Sequence, residues 1–136
     1  MKNIKVILIT FIVLIFILTF FLMKRKKNSK SRETSYRTVS QETAVQMMKD
    51  EKNYIIIDVR TIEEYSEGHI PNAISLPVQN IGNGENFQLP DKNQLILLYC
   101  RSGSRSRQAA QKLVEKGYAN VVDFGGINKW IGEIVK

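Results

Sequence analysis

The sequence predicts an α/β domain built on a parallel sheet, preceded by one N-terminal transmembrane helix. Three observations carry this expectation. Tyr54 to Ile57 and Leu95 to Tyr99 are continuous apolar runs, as in strands buried on both faces. Helical patterns alternate with such runs along the chain, which is the signature of a parallel sheet. The third observation is the stretch from Val6 to Met23, which holds no charged residue.

At about 1.5 Å per residue that stretch reaches about 27 Å, close to the hydrocarbon thickness of a bilayer. Only Thr10 and Thr19 interrupt it, so it lacks the polar face of a globular helix. A secretory signal peptide is the competing reading. Its apolar core is shorter, about 7–15 residues, and ends on small residues at a cleavage site. The run Phe20-Phe21-Leu22-Met23-Lys24 has no such pattern. Residues 1–23 are therefore expected to form an uncleaved anchor. Residues 24–35, polar and charged without periodicity, read as a basic flexible tether. The folded domain is expected over residues 36–136.

Charge is distributed in the same way. Residues 1–37 hold nine Lys or Arg against Glu33 alone, whereas residues 38–136 hold eleven against twelve Asp or Glu. The net charge of +7 is thus a property of the N-terminal segment. A nucleic-acid binder would carry its excess on the folded domain, so that class is disfavoured. Basic residues beside an anchor suit anionic lipid headgroups. Lys24 to Lys27, Lys30 and Arg32 outweigh Lys2 and Lys5, which places the domain on the cytoplasmic side of the membrane. The single cysteine agrees, since it cannot form an internal disulfide and a reducing compartment keeps it a thiol.

Within the domain the elements follow in order. Tyr36 to Val39 suits a short strand. Ser40 is an N-cap for a helix that places Ala44, Met47 and Met48 on one face. After the strand at Tyr54, Thr61 and Glu64 form a capping box for a short helix that stops near Gly68. Ala73 to Leu76 is a short strand, and residues 77–90 a long loop with room for one helical turn. The strand Leu95 to Tyr99 leads into a helix from Ser104 to Lys116. Ala109, Ala110, Leu113 and Val114 mark its inner face, and Gly117 ends it. Val121 to Phe124 is a last strand and Ile127 to Val135 a last helix containing Trp130.

Parallel sheets bind ligands beyond the carboxyl ends of their strands. Cys100 stands there, between a buried strand and a helix, in the run Cys100-Arg101-Ser102-Gly103-Ser104-Arg105. A thiol acts as a nucleophile in its thiolate form. Three features favour the thiolate. Arg101 and Arg105 lie in the loop, with Arg107 just beyond. The following helix turns the positive end of its dipole toward the loop. Gly103 allows a tight fold in which successive N–H groups converge on one anion. The same arrangement would attract a small anionic substrate. An inert buried thiol is the alternative, but it has no need of cationic neighbours.

The run from Leu95 through Ser106 resembles the active-site loop of rhodanese-type sulfurtransferases. Three other segments are similar to the same family: Asp58-Val59-Arg60 with Glu63-Glu64-Tyr65, Gly68-His69-Ile70-Pro71-Asn72-Ala73, and Gly125-Gly126 with Trp130. Asn72 replaces the usual glycine in the second of these. The resemblance covers about Ser40 to Lys136 and leaves out the N-terminal segment. It implies a small parallel sheet with helices on both sides. It also implies sulfur transfer through a persulfide on Cys100, from a donor such as thiosulfate to cyanide, a thiol or a protein acceptor, with no metal or cofactor. Arg101, Ser102, Gly103, Ser104 and Arg105 would then hold the small anionic sulfur donor.

A Cys-x5-Arg phosphatase is the rival enzyme. That chemistry places arginine six positions after the cysteine to grip phosphate oxygens, but position 106 is serine and Arg105 falls one residue early. A rival of another class is a sulfur-carrier or binding module with little turnover. Asp58 and Arg60, at the end of a buried strand, are supporting residues whose role is expected to be a structural ion pair. His69 is expected to be structural. Trp130, Gly125 and Gly126 shape the edge near the site, and Met47 and Met48 have no cofactor role.

Overall fold

The computed structural model describes residues 2–27, 35–82, 89 and 91–136. The chain forms two compact units, residues 1–33 and 34–136. The first contains one helix, α1 (Lys2–Lys27). Its described apolar side chains, Ile4 and those from Ile7 to Phe20, are exposed. Among the described residues, however, no helix is long and apolar enough to cross a membrane. The expected transmembrane anchor therefore has no support from the structure. α1 also continues through Lys24–Lys27, residues expected to belong to the tether. The rest of the tether, up to residue 34, lies outside the described residues.

The second unit is a five-stranded parallel sheet in the order β1-β5-β4-β2-β3. Its strands are β1 (Arg37–Thr38), β2 (Tyr54–Asp58), β3 (Ala73–Ser75), β4 (Leu95–Cys100) and β5 (Asn120–Gly126). The helices are α2 (Gln41–Asp50), α3 (Ile62–Glu67) and α4 (Ser104–Glu115). β4 is buried along its whole length. Because strand side chains alternate, β2 and β4 feed two cores. Ile57, Ile96 and Leu98 pack with Ala109, Ala110 and Leu113 of α4 on one face. Ile56, Leu97 and Tyr99 pack with Ala44 of α2 and Tyr65 of α3 on the other. Helices therefore cover both faces, as the parallel topology requires.

The helix starts form as the sequence predicts. Ser40 accepts a hydrogen bond from the Thr43 N–H. Thr61 accepts from the Glu64 N–H at 3.2 Å, and the Glu64 carboxylate accepts from the Thr61 N–H at 3.1 Å. The loop after β3 keeps to expectation, and two other features differ from it. Cys100 is the last residue of β4 and still paired, opposite Gly126. The loop after β3 contains one 3-10 turn, Val78–Asn80, while 83–88 and 90 lie outside the described residues. The C-terminal helix does not form beyond a 3-10 turn at Ile127–Lys129. Instead, Val135 exchanges two backbone hydrogen bonds with His69, both 2.9 Å. Gly132 lies flat against the Trp130 indole, where a Cβ would sit 2.8 Å from ring atoms. The backbone of this segment is thus satisfied by a neighbouring strand-like partner rather than by its own next turn.

Between Leu98–Asp123 and Cys100–Gly126 the register of β4 and β5 shifts. Two β5 residues, Phe124 and Gly125, stand opposite Tyr99 alone. This is a β-bulge, and Gly125 adopts the left-handed φ of 93° that it requires. The bulge turns the Gly125–Gly126 backbone toward the loop after Cys100.

Candidate active site

Cys100 is almost fully buried, at 1 % exposure. Gly103, with φ of 103°, folds the loop back so that its N–H donates to Cys100 Sγ at 3.0 Å. Burial pushes the thiol pKa up. The Ser106 hydroxyl and the backbone N–H groups of Ser106, Gly103 and Ser102 outweigh that and leave it below its ordinary value. Those donors point at one atom because the loop passes directly into the first turn of α4.

Ser106 is fully buried in that first turn. Its hydroxyl lies 3.1 Å from the Gly103 carbonyl and 3.4 Å from the Gly125 carbonyl. A hydroxyl has one proton, so donation to the sulfur competes with donation to these carbonyls. The backbone N–H groups have no such alternative and form the more dependable part of the anion site.

The loop is fixed from its far side by the end of β5, the 3-10 turn that follows it and α2. Asn128 N–H donates to the Arg101 carbonyl at 3.2 Å, and Gln41 donates to the Gly126 carbonyl at 2.7 Å. A Cβ on Gly126 would collide with the Arg101 carbonyl and come within 2.7 Å of Ser102 Cα. The fully buried Asp123 accepts from the Gly125 N–H at 3.1 Å and so holds the bulge. A cleft of about 350 Å³ opens beside the loop, lined by Gln41, Glu42, Ser102, Gly125, Gly126 and Lys129.

The arginines are placed differently from one another. Arg101 is exposed, as are Ser102, Ser104 and Arg107. Arg105 is not a free cation. Its guanidinium forms a bidentate pair with Glu64 of α3, at 2.6 and 2.9 Å. That pair, joined by the Thr61 N–H, holds the Glu64 carboxyl down to about 2. The expected cationic nest around the thiol is therefore mainly a nest of N–H groups.

Asp58 and Arg60 make a second, buried ion pair at 2.6 Å. Arg60 also donates to the Gly68 carbonyl at 2.7 Å and lies 5.8 Å from the centre of the Tyr99 ring. The Tyr99 hydroxyl in turn accepts from the Ile70 N–H. These contacts tie the end of β2 to the segment 68–70, beside the residue that precedes Cys100. His69 is occupied by its backbone ladder to Val135 and by stacking on Tyr65 at 3.7 Å.

Sequence reasoning placed Cys100 and its loop but did not assign Ser106, Glu64, Gln41 or Asp123 to the site. Ser106 was visible as the residue standing where a phosphatase needs arginine. Glu64 was legible as a helix cap and as part of the family-like segment Glu63-Glu64-Tyr65, but not as the partner of Arg105.

The chain matches the rhodanese-like domain over residues 40–133. It is 38% identical over 71 residues to the thiosulfate sulfurtransferase PspE of Escherichia coli, covering 52% of this chain and 68% of that protein. It is 32% identical over 118 residues to the putative sulfur carrier protein YrkF of Bacillus subtilis, covering 86% of this chain and 63% of that longer protein. Among solved structures, a rhodanese with anions from E. coli superposes with a TM-score of 0.55 at 35% identity, over 61% of this chain and 98% of that one. The parallel sheet, the buried cysteine at the end of its central strand and the loop folded onto the sulfur agree with these matches, and the chain belongs to the rhodanese-like domain family.

Proposed function

We propose that this protein is a sulfurtransferase that carries sulfane sulfur as a persulfide on Cys100, with thiosulfate or a similar small anion as donor. The observation that carries this reading is the ring of loop N–H groups around a buried thiol, with Gly103 N–H on Sγ at 3.0 Å. Donors fixed in this way stabilise a thiolate, and after transfer a persulfide anion, without reorganising. In the first half-reaction the Cys100 thiolate attacks the outer sulfur of thiosulfate. The S–S bond of the donor breaks, and its electron pair leaves with sulfite. In the second, cyanide or a thiolate attacks the outer persulfide sulfur, and the electron pair of that bond returns to Cys100. Charge and atoms balance in both steps, and no metal is needed. The relatives named thiosulfate sulfurtransferase and sulfur carrier support the chemical class.

The test is to supply the full chain with thiosulfate and cyanide and to measure thiocyanate. Steady formation, abolished by Cys100→Ser, is expected. The likeness to a sulfur carrier supports a second reading, in which Cys100 loads but passes sulfur to a protein acceptor. Stoichiometric loading with negligible thiocyanate turnover would select it.

The anchoring of residues 1–23 in a membrane, with the domain on the cytoplasmic side, rests on the sequence alone: the uncharged run Val6 to Met23 and the basic residues that follow. Protease added to intact cells is expected to spare the domain of a membrane-bound chain. Recovery of the chain in the soluble fraction, or its digestion from outside, would reject that proposal.

A further inference from the structure

Arg105 stands at the second position of α4. A cation there opposes the helix dipole and would ordinarily be destabilising. The chain keeps it and brings Glu64 from another helix to meet it through two parallel hydrogen bonds. The same carboxylate caps α3: its Oε2 also accepts from the Thr61 N–H at 3.1 Å, which holds it beside the guanidinium. The pair is only partly exposed, 31% and 23% for the two side chains, so its charges are not left to bulk solvent to screen. Among the described residues, neither Arg101 nor Arg107 has a salt bridge of its own. The loop thus presents N–H groups that fit one sulfur anion, with one of its two arginines neutralised.

We propose that Glu64 is a specificity-determining residue: by cancelling the charge of Arg105, it biases Cys100 toward sulfane donors with a single negative charge over dianions such as thiosulfate. This deepens the sulfurtransferase reading and rests on it. A donor of the favoured class is a thiosulfonate or an organic persulfide. With a thiosulfonate, the thiolate attacks the outer sulfur and the S–S electron pair leaves with the sulfinate, so the bond changes match those for thiosulfate and only the charge of the donor differs. Glu64 touches no reacting atom and acts through Arg105.

The experiment compares two pairs of probes on the full chain. Thiosulfate and methanethiosulfonate are sulfur donors of charge two and one. Iodoacetate and iodoacetamide are alkylating agents of charge one and zero. Glu64→Gln is expected to raise the kcat/KM ratio of thiosulfate to methanethiosulfonate by about three- to tenfold at low salt, mainly through KM. The rate ratio of iodoacetate to iodoacetamide should rise in the same direction. Both changes should shrink at about 1 M salt. Glu64→Asp, which keeps the charge, should stay near the original ratios, and adding Arg105→Gln to Glu64→Gln should restore them. Equal losses for both members of each pair, with unchanged ratios, would show Glu64 to be a structural brace only and would overturn the proposal. If neither donor loads Cys100 in the unaltered chain, the sulfurtransferase reading falls and the donor preference with it. A shifted alkylation ratio would then preserve only the screening of Arg105.

Discussion

Ser106 shows how much one side chain contributes at this site. It is buried in the first turn of α4, with its hydroxyl among the Gly103 and Gly125 carbonyls and the Cys100 sulfur. A hydrogen bond to an ionised group contributes about 1.5–3 kcal/mol, and about 1.4 kcal/mol is one pKa unit. Ser106→Ala is therefore expected to raise the Cys100 pKa by about one to two units and to slow alkylation near neutrality by about tenfold or more. The sign follows from the acid form. Reactivity is lost as pH falls through the thiol pKa, and in the unaltered chain the loop donors hold that midpoint below the ordinary value of a free thiol. The pH dependence of the iodoacetamide rate measures both. A midpoint unmoved by the substitution would leave the backbone N–H groups as the whole of the anion site.

Two elements meet at the loop, and each can be tested separately. The β4–β5 bulge brings Gly126 so close to Arg101 and Ser102 that a methyl group has no room. Gly126→Ala is expected to cost about 1–3 kcal/mol of stability, the usual range for overpacking, but more than tenfold in sulfur transfer, because the displaced backbone carries the donors to Cys100. Denaturant unfolding and the thiocyanate assay read the two effects. The α3–α4 contact is electrostatic. The Glu64 carboxyl titrates near 2 in the folded protein against an ordinary 4.5. A depressed carboxyl stabilises the fold above its unfolded pKa, and the contribution fades as pH falls from about 4.5 toward 2. Glu64→Gln should therefore flatten the acid limb of stability in that window and leave its shape unchanged above it. Unfolding midpoints across the acid range check this.

At the scale of the whole molecule, what could be read from the sequence was what local patterns encode. β2 and β4 were legible because strands buried on both faces have no polar alternation. The starts of α2 and α3 were legible because Ser40, Thr61 and Glu64 serve groups within one turn. The strand-loop-helix around Cys100 followed from the same cues. Distant pairings were not legible. The segment after Ile127 has the apolar content of a helix, yet its backbone finds His69, far away in sequence. The partner of Arg105 is on another helix, so the loop was read as more cationic than it is. The N-terminal run illustrates the converse case: an apolar pattern that the described structure does not show crossing a membrane.

The central claim is that Cys100 accepts and releases a sulfur atom, and intact-mass analysis of the full chain tests it most directly. After incubation with thiosulfate, the account predicts a gain of one sulfur atom per chain, located on Cys100 and removed by cyanide as thiocyanate. Cys100→Ser should show neither. A chain whose mass is unchanged by thiosulfate, by methanethiosulfonate and by an organic persulfide, with Cys100 still open to alkylation, would contradict it.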